Sequence, residues 1–376
     1  VSVFDSLVGQ APAIQTLQAA ARGHGMSHAW LVTGPPGSGR SNAALAFAAA
    51  LQCEQAGCGE CEACRTALAG SHPDVLVQST ERMIISVDLA REWVLRAALK
   101  PMRGRWQILV VEDADRLNEH ANNALLKAIE EPHPRTVWIL CAPNPSDVLP
   151  TIRSRSRTLQ LTTPHLEEVT RFLVERHGVP EALAAYSARA AQGHIGRARA
   201  LALDEAVRNR RREVITLPAR LRGLGDCMTA AANIADLAKQ DSAEQIEAFR
   251  TREFKNVEMV YGEDRKARST VSARAAVSQL DKEVKARERR AVNDSVDRVL
   301  MDLVSVYRDL LLLQLGSTKP LVNEELRPDL TELGRRTTPE SNLQRIDAIY
   351  AAREQMLEFN TPPLLALESM MVALRA

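Results

Sequence analysis

The chain has 376 residues, enough for two or three domains with buried cores. Its 45% apolar and 25% charged residues exclude wholesale disorder, and 4% aromatics are too few for a typical β-sandwich or a stacking-rich single-strand binder. Forty-eight basic against forty-seven acidic residues, a net charge of +1, exclude a strongly basic nucleic-acid coat but not a local basic surface. No apolar run reaches the roughly 18 residues of a membrane span, and Val1-Ser2-Val3-Phe4-Asp5 lacks the regions of a signal peptide. The expected location is cytoplasmic.

Along the first 160 residues, helical and strand-like patterns alternate. A helical pattern over Ala13–Arg22 leads to the apolar run Ala29-Trp30-Leu31-Val32, a glycine-rich turn and an alanine-rich helix over Ser41–Leu51. After a cysteine cluster come a strand at Asp74–Val77, a helix at Val87–Ala98, a strand at Gln107–Val111, a helix at Ala121–Glu130 and a strand at Val137–Ala142. Short apolar strands alternating with helices predict a parallel sheet covered on both faces. Strand character ends near Thr163-Pro164. Residues 165–204 read as three short helices broken at His177–Pro180 and Gln192–His194, and almost everything from about 205 onward reads as helix. Val299, Leu300, Leu303, Leu310, Leu313, Leu364, Leu367 and Met371 recur at helical spacing, more apolar surface than a small bundle needs for itself. Residues 241–292 are polar and charged, and predict a solvated helical hairpin inserted in the last domain, or else an arm for nucleic acid or a partner.

Gly34-Pro35-Pro36-Gly37-Ser38-Gly39-Arg40-Ser41 follows a strand and opens a helix, the setting in which G-x-x-x-x-G-K-[ST] binds phosphate. Glycines let successive amides turn inward, the helix N-terminus adds positive potential, and Ser41 stands where a hydroxyl holds Mg²⁺. Arg40 replaces the lysine, and a planar guanidinium is not equivalent to a compact ammonium. Three readings follow: nucleotide binds here, only the loop shape is retained, or this is an ordinary glycine-rich turn. Ile108–Val111 runs into Glu112-Asp113, where a Walker B strand ends in Asp-Glu. The reversed order moves each carboxylate by about one methylene, and misplacement near 1 Å can cost on the order of 100-fold in rate. Autonomous ATP hydrolysis is not expected.

Cys53-x4-Cys58-x2-Cys61-x2-Cys64 sets four thiols within twelve residues. Structural zinc suits this spacing, with an iron–sulfur centre and free thiols as alternatives. Cys141 and Cys227 are isolated and read as core residues. Arg153-Ser154-Arg155-Ser156-Arg157 is a basic surface segment by default. After a nucleotide-binding sheet, an arginine there reaches a neighbour's γ-phosphate in some enzymes.

With His72-Pro73-Asp74 and Asn122-Asn123-Ala124-Leu125-Leu126-Lys127-Ala128-Ile129-Glu130-Glu131-Pro132, these motifs appear in an order that resembles the bacterial DNA polymerase III clamp-loader subunits of the AAA+ superfamily. The resemblance spans residues 4–205. It implies an α/β AAA+ core with a zinc module (53–64) over 1–162, a helical lid over 163–205 and a helical collar over 206–376. Asn144 matches the sensor-one position, and Gly193-His194-Ile195-Gly196-Arg197 matches the sensor-two region loosely. Arg40 and Glu112-Asp113 match the family's non-hydrolysing pattern, not its motor pattern. The implied role is a stator in a five-subunit ring. Its partners would be the gamma/tau motor and delta subunits and, through the complex, the sliding clamp and primer-template DNA. Arg155 would act in trans as an arginine finger. Implied cofactors are structural Zn²⁺ and, at Gly34, Gly37, Gly39, Arg40, Ser41, Glu112, Asp113 and Asn144, ATP or ADP with Mg²⁺. Two rivals are a self-sufficient AAA+ motor ATPase and a zinc-stabilised DNA-binding adaptor.

Overall fold

Five apolar segments pair as parallel strands in the order β2-β3-β4-β1-β5: β1 (Ala29–Thr33), β2 (Val75–Gln78), β3 (Gln107–Val111), β4 (Thr136–Ala142) and β5 (Arg157–Gln160). The computed structural model describes residues 2–78, 84–261, 271–359 and 361–375. Every residue of β1, β3 and β4 is buried, because helices cover both faces of a parallel sheet. Alternate residues divide between the two faces. Trp30, Val32, Ile108, Val110, Val137, Ile139 and Cys141 pack with α1 (Ala11–Ala21), α2 (Arg40–Gln52) and α3 (Glu62–Leu68). Leu31, Leu109, Val111, Trp138 and Leu140 face α4 (Val87–Ala97), α5 (Glu119–Glu130) and α6 (Pro150–Arg153). The run of small alanines in α2 lets its backbone lie close to the sheet, and Phe47 meets Trp30 edge-on at 4.9 Å. On the edge strand β5 only Leu159 is buried.

The chain divides into two units, Val1–Asp204 and Glu205–Ala376. The first also contains α7 (Leu166–His177), α8 (Glu181–Ala191) and α9 (Ile195–Leu203), broken where the sequence predicts. Gly178 and Gln192 end α7 and α8 in the left-handed conformation.

The second unit comprises α10 (Glu205–Thr216), α11 (Leu224–Tyr261), α12 (Val271–Gln314), α13 (Arg327–Arg336), α14 (Pro339–Leu357) and α15 (Pro363–Leu374). Over the charged segment 241–292, the described helical residues continue α11 and α12 out from the unit's apolar core, and residues 262–270 lie outside the described residues. The apolar positions noted above are mostly consumed internally. Leu300, Leu303, Leu310, Leu367 and Met371 are fully buried within this unit, Val299 and Leu313 pack partly against them, and of the eight only Leu364 is exposed. Apolar surface is offered instead by Leu343, Tyr350, Phe359 and Leu365. One buried polar network ties the bundle together. Arg211 reaches Asp302 at 3.1 Å, Glu325 at 3.3 Å and Asn323, while Asp309 accepts from the amides of Val322 and Asn323 at 3.0 and 2.7 Å. Among the described residues, no helix is long and apolar enough to cross a membrane.

Candidate metal centre and nucleotide-like site

The strand order places β4 between β1 and β3, so residues leaving the carboxyl ends of these three strands converge, as at the ligand crevice of open α/β sheets. Gly34, Gly37 and Gly39 leave β1 and turn into α2, with Gly39 in the left-handed conformation as its N-cap. Arg40 bends back over this loop, its Nη1 donating to the Gly34 carbonyl at 2.8 Å. Ser41 is half-buried in the first turn of α2. Ser38 Oγ and Thr33 Oγ1 are buried beneath the loop without hydrogen-bond partners.

Glu112 continues the ladder past β3, its amide donating to Gln78 O at 2.9 Å, and Asp113 caps the short helical turn after it. Both carboxylates and Arg40 lie near enough to Cys141, on β4, to act on its thiol. Burial pushes that thiol up to about 12, Glu112 and Asp113 add to the rise, and Arg40 opposes it. Asp115 is also raised, first by burial and then by Asp113, with Arg40 again opposing. Arg40 and Arg116 are thus cations within reach of an acidic cluster. Asn144 follows β4 as the sequence predicts, but it is exposed and its Nδ2 donates to Asp147 at 3.2 Å.

The start of α9 rests on the phosphate loop. Ile195 N donates to Gly37 O at 3.4 Å, and the His194 ring lies where a Cβ on Gly37 would have to go, which explains the glycine at φ +81°. His194 Nδ1 caps α9 by accepting from Arg197 N at 3.2 Å. Arg197 is therefore in the helical turn adjoining the loop.

The four cysteines are brought together on the far side of α2. Cys53 ends α2, Cys61 caps α3 and Cys64 lies in its first turn. Their sulfurs lie within 4.8 Å of one another, with Cys53 Sγ 3.6 Å from Cys58 Sγ and 3.7 Å from Cys61 Sγ. A tetrahedral site with metal–sulfur bonds of about 2.3 Å requires sulfur–sulfur edges of about 3.8 Å. Amides of Cys58, Cys61 and Cys64 point at the sulfurs of Cys53, Cys58 and Cys61 at 3.4–3.5 Å, a set of donors that stabilises thiolate. Burial alone raises the Cys53 thiol, but the amides of Cys58, Gly57 and Gln55 outweigh it and bring it to about 6. Burial raises Cys61 and Cys64. The cluster has four sulfur donors and the geometry to hold a metal ion.

The three arginines before β5 do not share one environment. Arg157 stacks on Trp30, 4.8 Å from the ring centroid, and donates to Gly25 O. Arg153 reaches Pro145 O at 3.4 Å. Arg155 pairs with Glu130 of α5 and donates to Thr151 O at 2.8 Å. Since β5 runs parallel to β1, Arg155 lies at the amino-terminal end of the sheet and the phosphate loop at the carboxyl-terminal end. About five residues of strand separate the two levels, roughly 15 Å at ~3.3 Å per residue.

Residues 9–165 match the family model described as DNA polymerase III, delta subunit. The chain is 40% identical over 135 residues to the DNA polymerase III subunit delta' of Pseudomonas aeruginosa, covering 34% of this chain and 41% of the relative. It is 35% identical over 159 residues to the DNA polymerase III subunit gamma/tau of Mycobacterium bovis, covering 41% of this chain and 27% of the relative. It therefore spans less than half the length of these curated relatives. A DNA polymerase III gamma subunit-related protein of Thermotoga maritima aligns in structure at 15% identity with a TM-score of 0.36, covering 77% of this chain and 98% of that one.

Two structural roles escaped the sequence reading of the module. Asp74, the last residue of His72-Pro73-Asp74, is buried and accepts from the amides of Met102, Arg103 and Gly104 at 2.6, 2.8 and 2.5 Å. Gln52 accepts from Arg105 N at 2.8 Å and donates to Trp106 O at 2.6 Å. Together they pin the loop that feeds β3, and hence the level at which Glu112 and Asp113 emerge. The signal for Asp74 was the motif itself.

Proposed function

We propose that the chain is a delta-prime-like stator subunit of a replicative clamp loader, which helps set the sliding clamp on primed DNA and supplies Arg155 in trans to the ATP site of a neighbouring gamma/tau-type motor subunit. The placement of Arg155 carries this reading: it is exposed at the opposite end of the sheet from its own phosphate loop, so any nucleotide it serves belongs to another chain. Charge-assisted guanidinium–phosphoryl bonds stabilise the charge that develops in phosphoryl transfer, and arginine fingers supplied by a partner are worth about 10³–10⁵ in rate in GTPases. One finger among several in a ring accounts for a smaller share of total turnover.

The chain's own site is read as catalytically silent. Arg40 is committed to the Gly34 carbonyl where the motif has a lysine, and Glu112-Asp113 stand in reversed order. Any ATP or ADP with Mg²⁺ held by Gly34–Ser41, Glu112, Asp113 and Asn144 would be a structural ligand. The metal at Cys53, Cys58, Cys61 and Cys64 is assigned as zinc. Four thiolates leave no open coordination position, so its role is to hold the excursion between α2 and β2 folded. The helical second unit is assigned to assembly with the gamma/tau and delta subunits.

The test is reconstitution with a motor subunit, delta, clamp and primed DNA. Arg155→Ala should assemble normally and slow clamp- and DNA-stimulated ATP hydrolysis, while Arg153→Ala should not. Equal rates for Arg155→Ala and the unmodified complex would refute the in-trans role, and robust turnover by the isolated chain would favour a motor.

A further inference from the structure

Both terminal nitrogens of the Arg155 guanidinium are engaged within its own subunit. One arm pairs with the Glu130 carboxylate, and the other donates to Thr151 O at 2.8 Å and to Ser154 Oγ at 3.3 Å. The pair is open to solvent, with 39% of the Arg155 side chain and 44% of the Glu130 side chain exposed. Glu130 is the last residue of α5, and Glu131 follows it as the C-cap. Acids at a helix C-terminus oppose the helix dipole, so Glu130 sits where local helix chemistry disfavours it. Such a local conflict is expected where a residue answers to function instead of to its helix.

We propose that Glu130 is a positioning residue for Arg155, a counter-ion in the same chain that keeps the guanidinium folded against α5 until a neighbour's phosphoryl group displaces it. The inference rests on the in-trans role of Arg155. A carboxylate and a phosphoryl group both present two oxygens to the same two-pronged donor, so they compete for one guanidinium. The phosphoryl group carries more charge and strengthens its hold as the transition state forms. Because the Glu130 pair is solvent-exposed, its grip is weak enough to be exchanged. Glu130 therefore sets how much of the finger's binding energy reaches the partner's reaction.

Steady-state ATP hydrolysis by the reconstituted complex, stimulated by clamp and primed DNA, tests this with Glu130→Gln, Glu130→Asp, Arg155→Ala and the Glu130→Gln/Arg155→Ala pair. Glu130→Gln should raise kcat by up to about fivefold, the range an exposed ion pair allows, with KM for ATP unchanged. The gain should vanish in the Arg155→Ala background and shrink as salt screens the pair. Glu130→Asp, shorter but still charged, should fall between. If Arg155→Ala slows the complex but Glu130→Gln leaves kcat unchanged or lowers it, the counter-ion role is wrong and the finger stands. If Arg155→Ala has no effect, both fall together.

Discussion

Replacing Asp74 by asparagine tests how the module holds its acidic strand end in place. The carboxylate is 1% exposed and takes three backbone amides: Met102 on Oδ1, and Arg103 and Gly104 on Oδ2. Burial raises the carboxyl's pKa, but these three amides outweigh it and leave the group below its ordinary value. A hydrogen bond to a charged group contributes about 1.5–3 kcal/mol, and bonds sharing one carboxylate do not add fully. Asparagine keeps one acceptor oxygen for two amides at best, loses the charge and turns an NH₂ toward the third amide. The expected cost is about 2–4 kcal/mol, a fall in melting temperature of very roughly 5–15 °C for a unit of this size. The sign of the pH dependence follows from the depressed pKa. The stabilisation is complete above the unfolded carboxyl's pKa near 3.9 and is lost as pH falls through the lower folded value. Denaturant melts between pH 3 and 7 should show the gap between the two proteins closing at the acid end. Equal midpoints at neutral pH, or a gap that widens on acidification, would refute the anchoring role.

Metal analysis of reduced, folded protein should return close to one zinc per chain, and Cys61→Ser should release it and lower the melting temperature of the first unit. Arg40→Lys should not confer ATP turnover on the isolated chain in a steady-state assay, because Glu112 and Asp113 remain in reversed order. Arg157→Ala should cost about 1–2 kcal/mol in denaturant melts through loss of the contact with the Trp30 ring and the bond to Gly25, whereas Arg153→Ala should stay within about 0.5 kcal/mol. Arg157 is consequently unsuitable as a neutral control for Arg155.

Much of the first unit was legible because its signals are local. Continuous apolar runs such as Ile108–Val111 and Val137–Ala142 can be satisfied only in a sheet buried on both faces, and the four strands expected from sequence appear within a residue or so of their expected ends. Four cysteines within twelve residues converge because Gly57 and Gly59, both in the left-handed region, turn the chain back between them. The breaks at Gly178 and Gly193 are likewise set by glycines, which take left-handed backbone at no steric cost.

Allocation among partners far apart in sequence was not legible. Helical spacing marks Leu300, Leu303 and Leu310 as apolar, but whether such a stripe faces its own bundle or another chain depends on which helices pack against it, and here α11, α13 and α14 pack against α12. Charge density marks residues 241–292 as solvated helix, but only the fold shows that the described helices there are the outer lengths of α11 and α12, whose other ends lie in the core. The same holds for the arginines before β5. Their spacing is that of one basic patch, and only the fold separates them: β1 brings Trp30 beneath Arg157, α5 brings Glu130 to Arg155, and the parallel sheet sets Arg155 at the end opposite the phosphate loop. The sequence by itself determined the residue types and local conformations, because backbone sterics and short-range periodicity act within a few residues. The tertiary structure decided which charges meet and which apolar faces are consumed, because those depend on contacts between residues far apart in sequence, such as Arg157 with Gly25.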